Sequence, residues 1–311
     1  MKDRDLQNLK KIFGFDQYKP GQKDIINKIL EGKDVLSVMP TGGGKSLCYQ
    51  LPATLFDGLT LVVSPLIALM QSQVSQLQLI GVKAGSFNSS NTEVQNKETM
   101  SMLVKNELKM LYVAPERLIK QDTINLLKTK KISLLAIDEA HCVSQWGHDF
   151  RKEYLKLGDV RKELSMVQTI ALTATADETT RRDIVDKIFP KKPDIFITGF
   201  DRPNIYLSML PKNNAKKQIL TFIEPLKGHT GIIYCSTRKK TEEWADFLKI
   251  NNFNALPYHA GMSVDNRKKN LEAFIQEEGI VITATIAFGL GIDKPNVRFV
   301  CHANMPGNIE S

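Results

Sequence analysis

The sequence predicts an α/β protein of two domains, each a mostly parallel sheet with helices on both faces. Three observations predict it. Short runs that are apolar on successive residues alternate with helix-period segments along the whole chain, as expected for strands covered on both sides. The 311 residues suit two domains at roughly 150 residues each. Turn-rich stretches, Lys191-Lys192-Pro193 and Arg202-Pro203-Asn204, place a seam near Gly199–Asn204, giving domains 1–200 and 201–311.

In the first domain the expected strands are Asp34–Met39, Leu59–Val63, Lys109–Val113, Ser133–Ile137, Gln168–Leu172 and Asp194–Thr198. In the second they are Ile205–Leu210, Thr230–Tyr234, Ala255–Tyr258, Gly279–Thr283 and Arg298–His302. Between them, Ile25, Ile26, Ile29 and Leu30 share a helix face, with Gly32 as its stop. Trp244, Phe247 and Leu248 form a second such face, and Leu271, Phe274 and Ile275 a third. No repeat, low-complexity tract or heptad interrupts the pattern.

Hydrophobic residues at 42% and charged residues at 24% are an ordinary globular balance. The net charge of +8 is spread: 28 Lys+Arg against 23 Asp+Glu over 1–200 gives +5, and 14 against 11 over 201–311 gives +3. A basic surface on both domains suits a polyanion held between them, and equally a generally basic protein. Met1–Lys11 is charged and carries no apolar core of a signal peptide. The most apolar stretch, Leu59–Met70, is short for a bilayer and contains Pro65. A cytoplasmic protein without membrane contact is expected. Cys48, Cys142, Cys235 and Cys301 form no C-x-x-C pair, so no zinc site is expected.

The strongest chemical signal is Pro40-Thr41-Gly42-Gly43-Gly44-Lys45-Ser46, directly after a strand and opening a helix. Three glycines let the backbone turn tightly and aim N–H groups at an anion, and the helix start adds partial positive charge. Lys45 can reach the outer phosphates of a nucleotide, and the Ser46 hydroxyl can hold Mg²⁺. Met39 occupies the first glycine position of the strict G-x-x-x-x-G-K-[ST] pattern. Asp138-Glu139-Ala140-His141 follows the strand Ser133–Ile137. Carboxyl ends of parallel strands are where such sheets bind ligands. Asp138 is the second candidate for Mg²⁺, and Glu139 the group that orients and deprotonates the attacking water. Two acids before a helix are, by themselves, more often a cap or a solvated turn. Their order after Lys45-Ser46 favours the catalytic pairing, with Lys45 and Glu139 as its catalytic residues.

From Asp138 the chain continues into Ser144-Gln145-Trp146-Gly147-His148-Asp149-Phe150-Arg151. This run resembles the aromatic-rich loop of the RecQ helicases, a branch of the superfamily 2 motors, and the resemblance extends over essentially the whole chain. Tyr18, Lys19, Pro20 and Gln22 are similar to the family's first nucleotide motif, with Lys19 where arginine is usual. Ser64-Pro65-Leu66-Ile67-Ala68-Leu69 and Tyr112-Val113-Ala114-Pro115-Glu116-Arg117-Leu118 are similar to its strand-tracking motifs. Ala171-Leu172-Thr173-Ala174-Thr175-Ala176 is similar to the motif that couples nucleotide to DNA. Gly231–Arg238, Tyr258–Met262 and Ala284–Phe299 follow the pattern in the second domain.

The resemblance implies two RecA-like lobes, the second incomplete at its C-terminus, with ATP between them and single-stranded DNA across both. It implies an ATP-dependent helicase core moving 3′ to 5′ in DNA repair or recombination, with ATP and Mg²⁺ as cofactors and no zinc. Single-stranded and forked DNA are the implied partners of a monomeric protein, associated with the nucleoid if bacterial. It assigns Tyr18, Lys19, Gln22, Thr41 to Ser46 and Asp293 to the nucleotide, with Gln22 reading the adenine edge. Trp146, Phe150, Arg151 and Arg238 fall to DNA. Trp146 and Phe150 can stack on bases, worth ~1–3 kcal/mol each; as bare residues, core anchors are the commoner reading. Family members carry a Gln-x-x-Gly-Arg-x-Gly-Arg segment beyond Ser311, so weak turnover is expected of the chain. A nucleotide- and DNA-binding fragment with little or no turnover is the alternative reading. An RNA-unwinding relative is a third, disfavoured by the aromatic-rich run.

Overall fold

The computed structural model describes residues 2–145, 150–199, 204–285, 288 and 294–305. The chain divides into two compact units, Met1–Arg202 and Pro203–Ser311.

The first unit runs α1 (Lys2–Phe13), α2 (Gln22–Leu30), β1 (Val35–Val38), α3 (Leu47–Leu55), β2 (Leu59–Val63), α4 (Ile67–Leu79), β3 (Ala84–Phe87), α5 (Glu93–Val104), β4 (Met110–Val113), α6 (Pro115–Leu118), α7 (Gln121–Lys128), β5 (Ile132–Ile137), α8 (Leu157–Glu163), β6 (Thr169–Thr173), α9 (Glu178–Ile188) and β7 (Asp194–Ile197). Its seven strands lie in the order β3-β4-β2-β5-β6-β1-β7, every pair parallel. Side chains alternate across a strand, and in β1, β2, β5 and β6 both sides are largely dry, whereas the edge strand β7 is mostly exposed. Leu36, Val38, Leu61, Val63, Leu135 and Ile137 enter one core layer. Val35, Val62, Leu134, Ala136, Ile170 and Leu172 enter the other. Burial on both faces is why these strands are continuous apolar runs in the sequence.

The second unit runs α10 (Ala215–Ile223), β8 (Thr230–Tyr234), α11 (Arg238–Ile250), β9 (Asn254–Tyr258), α12 (Val264–Gln276), β10 (Ile280–Ala284) and β11 (Val297–His302). Its parallel sheet has the order β11-β8-β10-β9. Trp244 and Leu248 of α11 seal one face, and Phe274 of α12 the other, at 0% exposure. Burying a side chain of that size contributes roughly 1.5–3 kcal/mol. Gly231 is required by the Phe299 ring, which occupies the space of any Cβ there.

Three expectations change. Ile205–Leu210 is not a strand: Tyr206, Leu207 and Met209 are exposed, and none of the described strands pairs with it. Apolar alternation met the sequence criterion, but a strand needs a neighbour to receive its backbone hydrogen bonds. Conversely, Ala84–Phe87 is an edge strand that its small residues hid. Gly85 lies so close to Thr99 of α5 that a Cβ would come within 2.8 Å, the close approach a strand glycine often marks. Ile275, expected on an apolar face, is 47% exposed.

An ionic tie closes the amino-terminal end of the first sheet. Arg161 is 3% exposed and bonds Asp34 at 2.6 Å. Its Nε donates to the Val167 carbonyl, and its guanidinium lies over Phe189, 5.5 Å from the ring centre. Asp34 also accepts from the Thr169 N–H at 2.8 Å. Each buried charge is therefore paired and hydrogen-bonded, the condition under which such a pair is tolerated.

Candidate nucleotide and nucleic-acid site

The glycine-rich turn leaves the carboxyl end of β1, and two of its residues are left-handed, Gly42 (φ 79) and Gly44 (φ 78). That conformation is open to glycine and costly elsewhere. The loop carbonyls are pinned from outside. Lys19 Nζ donates to the Gly42 oxygen at 2.9 Å. Gln22 Nε2 donates to the oxygens of Gly43 at 3.4 Å and Gly44 at 2.9 Å, while its Oε1 accepts from the Lys19 N–H at 2.8 Å. Peptide C=O and N–H groups point oppositely, so fixing the Gly43 and Gly44 carbonyls fixes the direction of the Gly44 and Lys45 amides, while the Gly43 N–H donates to the Pro40 carbonyl at 2.9 Å and closes the turn. Both polar atoms of the Gln22 amide are engaged with the loop and its flank. A side chain at Gly44 would collide with that amide. Tyr18 is half-buried against the small core of Leu9, Ile26, Leu47 and Leu51, and Thr41 is exposed.

Lys45 Nζ donates to the Met39 carbonyl at 3.5 Å, a long and weak bond. Met39, standing where the strict pattern has glycine, thus supplies the resting acceptor for this lysine. Ser46 precedes α3 and accepts from Gln73 Nε2 of α4 at 3.0 Å. The Gln73 Oε1 in turn accepts from the Tyr49 hydroxyl at 2.9 Å.

Asp138 and Glu139 leave the end of β5, with β6 between them and β1. Thr173, last in β6, ties the three strand ends together. Its carbonyl accepts from Met39 N at 3.0 Å, and its hydroxyl lies 2.8 Å from His141 Nδ1. That same nitrogen is 3.3 Å from a Glu139 carboxylate oxygen. Glu139 is left-handed at φ 48, a conformation costing a non-glycine residue roughly 1–2 kcal/mol. Tyr154, 0% exposed, donates to the Asp138 carbonyl at 2.9 Å and fixes the turn from below. Asp138 is 4% exposed. Burial first, and the Glu139 charge second, push its carboxyl up to about 7, while Lys45 and the Glu139 N–H pull it down. The Lys45 charge therefore reaches Asp138, and the loop and the acids form one electrostatic site.

Two hard oxygens, Ser46 Oγ and the Asp138 carboxylate, suit magnesium. It is usually bound by one or two protein oxygens with phosphates and waters completing the shell. No cluster of three His, Cys, Asp or Glu occurs among the described residues, as such a donor set allows. A carboxyl whose charge is this costly when alone fits a place where a cation and a triphosphate complete the charge balance.

Of the residues expected to meet DNA, Trp146 lies outside the described residues, as does Asp293 of the nucleotide set. Phe150 is half-buried. Arg151 Nη1 donates to the Pro65 carbonyl at 3.2 Å, joining the far end of the aromatic-rich run to the turn before α4. Arg238 is exposed at the start of α11, its side chain lying across Gly261 in the second unit. All four cysteines are buried, and burial pushes the Cys48 and Cys301 thiols up to about 12.

The DEAD/DEAH box helicase family matches residues 19–184, and the helicase conserved C-terminal domain matches 212–311. The ATP-dependent DNA helicase RecQ of Haemophilus influenzae is 46% identical over 98% of this chain and 49% of its own length. This chain belongs to the RecQ branch of the DEAD/DEAH box helicases. The Bacillus subtilis RecQ helicase is 40% identical over 96% of the chain and 51% of its own length. The chain thus spans about half the length of the RecQ relatives it matches. Helicase Lhr of Mycobacterium smegmatis, solved bound to ssDNA and AMP-PNP, superposes with a TM-score of 0.67 at 22% identity. That match covers 93% of this chain and 42% of that one, and it bears on fold: both units are RecA-like lobes. No helix among the described residues is long and apolar enough to cross a membrane.

Gln73, Tyr49 and Tyr154 were absent from the site read in the sequence. Gln73 is one of four glutamines between Gln71 and Gln78, and no spacing sets it apart. For Tyr154 the only signal was its nearness to the RecQ-like run.

Proposed function

We propose that this chain is the motor core of an ATP-dependent DNA helicase. It couples ATP hydrolysis to 3′-to-5′ movement along single-stranded DNA, and so to duplex unwinding at forks in repair or recombination. The observation that carries the reading is that the loop bearing Lys45 and the acids Asp138 and Glu139 leave the same carboxyl edge of one parallel sheet, across strand ends tied by Thr173.

In this reading Gly42 and Gly44 offer backbone N–H groups to the phosphates while Gly43, whose own N–H donates to the Pro40 carbonyl at 2.9 Å, closes the turn around them, with Tyr18, Lys19, Gln22 and Thr41 flanking the nucleotide. Lys45 exchanges its long bond to Met39 for the outer phosphates, where its charge stabilises the transferring group. Ser46 and Asp138 hold Mg²⁺, which when bound neutralises phosphate charge. Glu139 orients the attacking water and takes its proton. Its close neighbour His141, itself bonded to Thr173, limits how far the carboxylate can swing. Asp293 is the remaining residue assigned to the nucleotide. Trp146 and Phe150 stack on bases without choosing sequence, Arg151 and Arg238 meet the backbone, and the whole run Ser144–Arg151 lies within twelve residues of Glu139, which makes DNA occupancy felt at the water.

ATPase with and without single-stranded DNA tests the reading. Lys45→Ala and Glu139→Gln are expected to abolish turnover, and Trp146→Ala to remove most DNA stimulation while leaving basal turnover. Equal stimulation by RNA of the same length would overturn the DNA assignment. Full DNA stimulation of Trp146→Ala would overturn the role given to that loop.

A further inference from the structure

We propose that Gln73 is a positioning residue for the magnesium ligand Ser46, an inference that rests on the reading of the cradle as an ATP–Mg²⁺ site. Gln73 belongs to α4 and is 9% exposed. It reaches the nucleotide loop from a different part of the chain. Its amide bridges two hydroxyls. The Tyr49 hydroxyl donates to Oε1 at 2.9 Å, which leaves Nε2 as the atom facing Ser46 Oγ at 3.0 Å. The chain of bonds runs Tyr49 to Gln73 to Ser46, and the Tyr49 hydroxyl also interacts with Ser46 and Tyr112.

A serine hydroxyl has one hydrogen and two lone pairs, and its rotor is otherwise free. With Gln73 N–H occupying one lone pair, the hydrogen cannot take that direction. The second lone pair is then kept for a cation on the loop side. Without Gln73, the rotor can present its hydrogen to the cation, and each productive geometry must be selected from several. Partners of this kind behind a metal ligand commonly alter metal affinity by roughly 10–100-fold. The hydrogen bonds of the Gln73 side chain go to Tyr49 and Ser46 and not to the glycines of the loop. Its loss should therefore spare the metal-free nucleotide.

The test measures binding of a fluorescent ATP analogue to the whole chain in EDTA and across a Mg²⁺ titration, for wild type, Gln73→Met, Tyr49→Phe and Lys45→Ala. Gln73→Met is expected to bind the analogue within about twofold of wild type in EDTA, and to need about tenfold more Mg²⁺ for half-maximal tightening. Tyr49→Phe, which leaves the Gln73 N–H in place but free to turn, is expected to shift the midpoint in the same direction by a smaller factor. It also serves if Gln73→Met melts early. A Mg²⁺ midpoint within twofold of wild type in both variants would overturn the proposal. So would an equal loss of affinity with and without metal. If wild type itself shows no Mg²⁺-dependent tightening, or Lys45→Ala binds as wild type does, the nucleotide-site reading fails and this inference with it. That failure appears in arms that do not contain the Gln73 substitution.

Discussion

Replacing Asp138 with asparagine should make the empty protein more stable while removing its response to magnesium. Asparagine keeps the shape and the oxygen that accepts the Glu139 N–H at 3.0 Å, but it never ionises. The folded carboxyl titrates at about 7 against an ordinary 3.8, raised by burial and then by Glu139. The folded form therefore holds a proton that the unfolded chain releases between these values. The stability contribution of Asp138 is full below pH 3.8 and is lost progressively as pH rises through about 7. Proton affinity raised from 3.8 to about 7 sets an upper bound of roughly 4 kcal/mol, and because the shift belongs to the Asp138–Glu139 pair a gain of ~2 kcal/mol is expected. For a unit of this size that is roughly 4–8 °C in melting temperature. Thermal melts of wild type and Asp138→Asn from pH 5 to 8.5, without nucleotide, read the effect. The gain should grow from pH 5 to 7 and level off above. A gain independent of pH, or a loss at pH 8, would refute the reasoning. Adding Mg²⁺ and ATP should reverse the ranking, because only wild type offers the cation a carboxylate.

Other perturbations follow from the same geometry. Arg161→Met leaves Asp34 half-paired at the base of the sheet and should cost ~3–5 kcal/mol, read by urea unfolding, with nucleotide affinity of the remaining folded protein unchanged. Gly44→Ala imposes a left-handed alanine, ~1–2 kcal/mol, and drives the Gln22 amide off the loop. Nucleotide affinity measured by titration should fall at least tenfold, beyond what the small drop in melting temperature accounts for. Tyr154→Phe removes one buried donor to the Asp138 carbonyl and should cost ~1–2 kcal/mol in chemical denaturation. If the turn then relaxes, basal ATPase should fall more than Mg²⁺–nucleotide binding does.

Much of the first unit could be read in the sequence because its strands are buried on both faces. A double-sided core demands apolar residues in succession, so β1, β2, β4 and β5 announce themselves. β3 did not, since Ala84, Gly85 and Ser86 are small for the sake of α5, a tertiary requirement without a local signature. Ile205–Leu210 erred in the opposite direction, because alternation records what a residue could bury and carries no information about a partner strand. At the site, Lys45, Ser46, Asp138 and Glu139 were legible because the loop and the acids each adjoin a strand end in the expected order. Thr173 lay inside the RecQ-like run Ala171–Ala176, but Gln73 and Tyr154 act through partners 27 and 16 residues away. Such separations leave no periodicity to find.

The Asp34–Arg161 tie and the phosphate cradle sit at opposite ends of the same strand, β1. Because four residues of continuous ladder separate them, mechanical integrity is anchored at one rim and the proposed chemistry belongs to the other. The reactive rim can therefore carry a left-handed glutamate and a costly carboxylate without loosening the sheet beneath. Damage to either rim should then leave its own separate experimental signature: melting for the base, metal and nucleotide response for the top.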